Sequence, residues 1–295
     1  MDGCFIIELF RKDAYKELRE VDDPVFTMSC MLQFLYHDLI LLENQVPWMV
    51  LEGLFNMTRD PEENKSLTQL AIKFFANIFS STDPGIVNVP HIQDIKHILD
   101  LFRKWLVLST GGQEESRVGW QSMPSATSLV EAGIKFKRGS SRSILDIKFI
   151  DGVLEIPPLL IQETTETVFR NLISFEQCFP NCEARFTSYA ILLDNLINTA
   201  KDMDILCENE IIDNWLNPDD AAQFFNKLYH NAYVKKYYYL SLCEQVNRFC
   251  QRRWPRWRAM LVRNYFNTPW AILSTLVAAI LLILTFLQTF YSMKN

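Results

Sequence analysis

The chain has 295 residues, a length that allows one large domain or two smaller ones around a sizeable hydrophobic core. Hydrophobic residues make up 49% of it and charged residues 22%, which indicates a globular rather than a disordered protein. Only 9 residues are glycine. This favours packed helices over a glycine-rich barrel or a doubly wound nucleotide-binding fold.

The net charge of −6 is distributed unevenly along the chain. Residues 247–263 carry six arginines and no acidic residue, so the remainder is strongly acidic. An acidic body with a short basic segment is poorly suited to bind a phosphate backbone, and we expect no nucleic-acid partner. The arginines of this basic segment are Arg248, Arg252, Arg253, Arg256, Arg258 and Arg263.

Seven cysteines at scattered spacings predict reduced thiols in the cytosol rather than a disulfide scaffold. Cys178 and Cys182 lie four residues apart, but no second pair of cysteines or histidines follows at the spacing of a zinc site. The sequence therefore predicts neither a metal site nor a cofactor.

Helical apolar spacing dominates the N-terminal part, residues 1–108. The expected break within the third predicted helix is at Pro47, because proline disrupts a helix interior. Residues 109–124 are polar and rich in Gly and Ser, which predicts a flexible loop. The predicted helices are 4–18, 24–38, 39–57, 66–79 and 91–108.

Residues 125–246 are predicted to continue the same domain with a small β element followed by helices. Ser128 and Glu131 form a capping-box pattern, and Gly133 is placed to end that short helix. Three short β-rich runs follow, with a hairpin turn predicted at Asp151-Gly152 and the last strand ending at Pro157-Pro158. The later helices are predicted at 164–178, 184–200, 204–215, 218–229 and 231–253. The predicted fold is thus mainly α with a small central β-hairpin or sheet.

Residues 264–295 are interpreted as a single transmembrane tail anchor. The stretch 270–291 is apolar on all sides and would cover roughly 33 Å as a helix, against about 30 Å for a hydrocarbon core. The alternative is a central helix buried in a soluble core, against which stand the flanking aromatic and basic residues. The residues assigned to the anchor are Trp270, Ile272, Leu273, Leu276, Ile280, Leu281, Leu284, Phe286, Leu287 and Tyr291.

The arginines of 247–263 would form a juxtamembrane collar that keeps the body in the cytosol. The collar could also attract anionic lipid, or it could serve only to set the orientation. The expected location is a single-pass position in the plasma membrane or the endoplasmic reticulum, with the lipid bilayer as one partner.

Several stretches resemble the plant family known as domain of unknown function 247, which is also represented by UPF0481-type membrane proteins. The resemblance covers essentially the whole chain in the same order, although this sequence begins after the segment that usually carries a Ser-Ile-Gly-Pro-Tyr-His-like motif. It implies a plant protein without an established enzymatic activity, commonly ending in a transmembrane helix, and it implies no site residues. The stretches are 2–10, 41–55, 125–137, 144–159, 169–178, 202–219 and the apolar C-terminal end.

No nucleophile elbow, phosphate-binding loop or zinc-protease motif is present in the sequence. His37-Asp38 could act as a base with its orienting acid, but neighbouring helical residues are expected to point apart. His37, His91, His97 and His230 are therefore interpreted as structural or surface residues.

The leading prediction is a membrane-anchored, non-enzymatic recognition or signalling module with an unidentified protein partner. One alternative is a membrane-tethered enzyme in which Glu43, Gln45 and Glu176 converge only in the fold. The other is a self-assembling scaffold, a homo-oligomer paired through Ser274 and Ala278-Ala279 of the last helix.

Overall fold

The computed structural model is mainly helical with a small sheet, as the sequence predicts, and it also has a second, two-stranded sheet. It describes residues 3–294 except 62, 77, 80–91, 109–118, 142, 180–181, 217–224, 226–227, 229–231, 235 and 252–268. The helices are α1 (Gly3–Ala14), α2 (Pro24–Thr27), α3 (Ser29–Ile40), α4 (Trp48–Met57), α5 (Leu67–Phe75), α6 (Ile98–Leu108), α7 (Ala126–Glu131), α8 (Thr165–Cys178), α9 (Arg185–Leu196), α10 (Ala200–Glu208), α11 (Leu240–Cys250) and α12 (Pro269–Lys294). The strands are β1 (Lys135–Arg138), β2 (Lys148–Ile150), β3 (Val153–Ile156), β4 (Leu159–Ile161) and β5 (Ile212–Asn214).

The N-terminal helices pack around a cluster of aromatic rings. Helix α1 lies against α4 and α5, and α5 also packs on α6. Phe10 contacts Phe74 with ring centroids 5.1 Å apart, and Tyr36 contacts Phe74 at 4.4 Å. Ser66 and Gln69 close the start of α5 with a reciprocal capping box. These large packed rings supply much of the apolar area that stabilises the N-terminal part.

Pro47 separates two helices, as predicted. The chain between them forms a short 3-10 turn at Leu42–Asn44, and α4 then begins at Trp48 with Pro47 as its N-terminal cap residue. The Trp48 N–H donates to the carbonyl of Lys96 at 2.7 Å, so a donor without a partner inside the helix is satisfied by a distant segment. The break therefore sets the direction in which α4 leaves the core.

The predicted hairpin is present between β2 and β3. Ile150 pairs with Val153 across the turn, and Asp151 and Gly152 both have positive φ, as a tight two-residue turn requires. A Cβ on Gly152 would also lie 2.7 Å from the Phe249 ring, so only glycine fits there. Strand β1 adds to the other side of β3 in parallel, giving the order β1-β3-β2.

Several local predictions are wrong, among them the helix at 231–253, which begins only at Leu240. The predicted helix 204–215 ends early, because α10 stops at Glu208 and the following residues form β5, which pairs in parallel with β4. The cap of α7 is Ser125 rather than Ser128, and its side chain accepts from the Ser128 N–H. Gly133 does end that helix with a positive φ. The predicted helix 218–229 lies largely outside the described residues.

The prediction of a C-terminal transmembrane helix is also wrong. A helix does form at Pro269–Lys294, but among the residues that the structure describes, none of the helices combines the length and the apolarity that crossing a membrane requires. A span needs about 20 consecutive apolar residues.

The residues assigned to the anchor fall into two groups, those whose side chains the structure describes and those outside the described residues. Those with described side chains are exposed on α12, namely Leu273, Ile280, Leu281, Leu284, Phe286 and Leu287. The side chains of Trp270, Ile272, Leu276 and Tyr291 lie outside the described residues. The tail anchor, the juxtamembrane role of the arginines and the cytosolic orientation all rested on the predicted span.

Candidate functional site

Glu176 is the centre of a buried polar junction between three helices. One of its carboxylate oxygens accepts from the Phe186 N–H at 3.0 Å, and the other accepts from the N–H and the hydroxyl of Thr187 at 3.0 and 2.9 Å. Helix α9 begins after Ala184, which provides no side-chain cap. Glu176, from α8, therefore caps the N-terminus of α9 from a distance, where a negative charge is favourable.

Arg103 brings α6 into the same junction. Its Nε donates to Glu176 at 3.1 Å, and its terminal nitrogen donates to the carbonyl of Glu183. Burial raises the pKa of Glu176, while Arg103 and the donors on Phe186 and Thr187 oppose that rise. Four donors around two oxygens fit a carboxylate, because a protonated acid would bring a fifth hydrogen into the cluster.

Asp202 forms a second buried junction of the same kind. One carboxylate oxygen accepts from the Thr127 N–H of α7 at 2.8 Å, and the other accepts from the N–H and the hydroxyl of Thr199. Burial alone would raise the pKa of Asp202, but hydrogen bonds from Thr127, Thr199 and Ser125 outweigh it, and the pKa is lowered. This acid thus caps its own helix and ties it to α7.

A cavity of about 420 Å³ lies beside the Glu176 junction and is lined by charged side chains. Lys104 pairs with Asp100 at 3.0 Å, and Arg103 is held by Glu176. Burial raises the pKa of the Cys182 thiol at its wall, which disfavours a nucleophilic thiolate. Most of the charged groups here are therefore already engaged in holding the fold.

The three polar residues considered for a catalytic site are not brought together. Glu43 is exposed. Gln45 donates to the carbonyls of Leu39 and Leu41 and accepts from the Leu99 N–H at 3.0 Å, so it satisfies backbone groups around the Pro47 break. Glu176 serves the junction described above. Gln45 and Glu176 thus have separate sets of partners, as structural roles predict.

The histidines show one departure from expectation. The His37 and Asp38 side chains do contact each other at 3.3 Å, although neighbours on a helix were expected to point apart. Both are partly exposed. His97 accepts from the Asp100 N–H at 3.3 Å and stacks edge-on against Phe175, and burial lowers its pKa. His91 and His230 lie outside the described residues.

None of the seven cysteines forms a disulfide. Across the described ranges, no group of three or more His, Cys, Asp or Glu residues is arranged to hold a metal ion. Of the arginines in the basic segment, Arg248 is the one that the structure describes. It is exposed, and its guanidinium lies 3.8 Å from the Glu244 carboxylate. Arg252, Arg253, Arg256, Arg258 and Arg263 lie outside the described residues.

The outer side of α4 has a different character from these junctions. The helix buries Trp48, Leu51 and Phe55 against the core. Its opposite side exposes Met49 and Met57 by 78% and 84%, with Val50 beside them. We call Met49, Val50, Gly53 and Met57 the α4 surface. Contiguous exposed apolar side chains often mark an interaction site, and sequence analysis missed these because WMVLEGLFNM is apolar on nearly every side.

A comparison with known protein families supplies the remaining observation. The family model described as DUF247, plant protein of unknown function, matches residues 1–284. The chain belongs to this family. UPF0481 protein At3g47200 of Arabidopsis thaliana is 26% identical over 317 residues, covering 98% of this chain and 66% of the relative.

A second UPF0481 protein of Arabidopsis thaliana, At3g02645, is 31% identical over 173 residues, covering 57% of this chain and 33% of the relative. The chain therefore spans less than two thirds of the length of either relative. No solved structure matches it. The family assignment from the resemblance is thus confirmed, and the family carries no assigned activity.

Proposed function

We propose that this DUF247 protein is a recognition module that binds a protein partner through the α4 surface. The observation that carries the proposal is the exposure of Met49 and Met57 on the outer side of a helix whose inner side is firmly packed. A rigid helix presents these side chains in a fixed arrangement, which lowers the entropic cost of binding.

Methionine suits such a surface for a physical reason. Its unbranched side chain is flexible and polarisable, so it adapts to the shape of a partner. Complete burial of one such side chain contributes about 1.5–3 kcal/mol. Met49 and Met57 together could therefore supply several kcal/mol of binding free energy without a charged contact.

The alternative is an enzyme with a site formed only in the fold, and the cavity beside Arg103 is where it would lie. Its arginine is bonded to Glu176 and its Lys104 to Asp100, so catalysis there would have to disrupt bonds that hold the helices together. A general acid or base must be free to exchange its proton with a substrate. The binding function requires no such rearrangement.

Site-specific photo-crosslinking tests the proposal. A photoreactive amino acid at Met57, in the full chain incubated with plant extract, should give a discrete adduct with a protein. The matched control carries the same group at Val130, an exposed apolar residue on α7. Adducts confined to position 57 support the proposal, whereas no adduct at 57, or the same adducts at both positions, would overturn it.

A further inference from the structure

Lys96 lines the cavity beside Arg103 without a carboxylate partner among the described residues. Its ammonium lies over the Phe179 ring, 5.3 Å from the ring centroid. The other lysine of the cavity, Lys104, uses all three of its ammonium donors, on the Asp100 carboxylate and on two backbone carbonyls. The positive charge of Lys96 is therefore available to a ligand, whereas that of Lys104 is not.

The Arg103 guanidinium also has donors that the fold does not use. Of its five N–H groups, two are bonded, to Glu176 and to the carbonyl of Glu183, which leaves three without a partner in the described part of the chain. The side chain is only 8% exposed and forms part of the cavity wall. Because a buried donor is stabilised by an acceptor, an anionic oxygen inside the cavity would be bound there.

The charges around the cavity favour a ligand with one negative charge. Each acid at the cavity or directly behind it has a basic partner: Asp100 with Lys104, Glu183 with Arg185, and Glu176 with Arg103. With these pairs cancelled, the net charge of the described groups is the single positive charge of Lys96. A monoanion complements it, whereas a dianion would leave an excess of negative charge.

The apolar part of the wall consists of two aromatic rings. Phe175 and Phe179 both line the cavity, and their centroids are 4.5 Å apart. Aromatic walls pack well against another flat ring. The cavity volume of about 420 Å³ lies within the range of about 300–1,000 Å³ that is usual for small-molecule sites.

We propose that this cavity binds a small aromatic monocarboxylic acid. Its carboxylate is bonded by the unused donors of Arg103 and balanced by the charge of Lys96, and its ring packs against Phe175 and Phe179. Hydrogen bonds between ionised partners are the stronger ones, so the carboxylate supplies the specificity. The site is distinct from the α4 surface, and this inference goes beyond the proposed function without depending on it.

The test is an equilibrium titration of the full chain, followed by saturation-transfer NMR, with hydrocinnamate as the probe. The neutral analogue hydrocinnamide has the same ring and nearly the same shape but lacks the charge. Wild type should bind hydrocinnamate at least tenfold more tightly than hydrocinnamide. Equal affinities, or no saturable binding of hydrocinnamate at millimolar concentration, would overturn the proposal.

A matched pair of variants locates the binding. Lys96→Gln changes an exposed side chain, so the fold should persist, which the thermal unfolding midpoint checks. It should weaken hydrocinnamate binding about fivefold, as expected for a partly screened charge, and leave hydrocinnamide binding unaltered. Lys135→Gln makes the same charge change at an exposed position on β1 and should alter neither affinity. An equal loss in both variants, or none in Lys96→Gln, would contradict the assignment of the cavity.

Discussion

The Glu176 junction and the α4 surface differ in how their side chains are satisfied. At the junction, a fully buried carboxylate has four donors from α6 and α9, and each bond joins separate helices. On the α4 surface, two methionines and an open glycine face outward with no polar contact to maintain. The comparison teaches that the buried charges of the junction stabilise the packing of the helices. The exposed apolar side of α4 is therefore a better candidate for recognition than the junction is.

The largest expected effect comes from breaking the junction. Glu176→Ala should lower the free energy of unfolding by about 3–5 kcal/mol, because it leaves the Arg103 guanidinium buried without its counter-charge. Chemical denaturation measures the loss. The matched control is Glu166→Ala, which removes a half-exposed acid from the same helix, paired with the half-exposed Arg170, and should cost less than about 1 kcal/mol. Equal losses in both variants would contradict a structural role for Glu176.

Asp202 should give a smaller, pH-dependent effect. Asp202→Asn should cost about 1–3 kcal/mol at neutral pH, since an amide cannot accept all the bonds that the carboxylate accepts. The folded-state pKa of Asp202 is lowered, so its contribution is fully present above the unfolded value of about 3.9 and is lost as pH falls through the folded value. The difference between wild type and variant should therefore shrink between pH 7 and pH 3.

The exposed Asp204 on the same helix provides the control for this pH dependence. Asp204→Asn should leave the free energy of unfolding nearly unchanged across the same pH range. A gap between wild type and Asp202→Asn that stays constant down to pH 3 would contradict the role assigned to Asp202.

Two buried tyrosines extend the comparison to hydrogen bonding within the core, because one hydroxyl has a partner and the other has none among the described residues. The Tyr239 hydroxyl donates to the Leu145 carbonyl at 2.8 Å, so Tyr239→Phe should cost about 1 kcal/mol. The Tyr189 hydroxyl is buried without a hydrogen-bond partner among the described residues. Tyr189→Phe should therefore be neutral or stabilising by up to about 1 kcal/mol. Opposite signs in thermal unfolding would bear out this difference, and equal destabilisation would refute it.

The smallest effects on folding belong to the α4 surface. Gly53→Ala should raise the free energy of unfolding by about 0.5–1 kcal/mol, because it improves helix propensity and fills open space. Met49→Ser should change it by less than about 0.5 kcal/mol, as for other exposed positions. Loss of stability in either variant would mean that this side of α4 is covered within the folded chain.

Local signals in the sequence predicted the local features of the fold. Pro47 predicted the break before α4, and Asp151-Gly152 predicted the hairpin, because each of these residues restricts its own backbone. β5 was missed since Ile212 forms a strand only by pairing with Leu159, more than fifty residues away. Such pairing leaves little trace in local periodicity.

The candidate site was harder to predict from the sequence than the fold was. Glu176 was recognised as an acid among apolar neighbours, but its donors come from α6 and α9 and could not be assigned from spacing. The apolarity of 270–291 suggested a membrane span that the described helices do not provide. Uniform apolarity likewise concealed which side of α4 faces outward.

Binding and stability measured together on one variant test the account most directly. The double variant Met49→Glu, Met57→Glu should keep its free energy of unfolding within about 1 kcal/mol of wild type. Its association through the α4 surface should be at least tenfold weaker in an equilibrium binding assay. Unchanged association, or unfolding on substitution, would contradict the assignment of this surface to recognition.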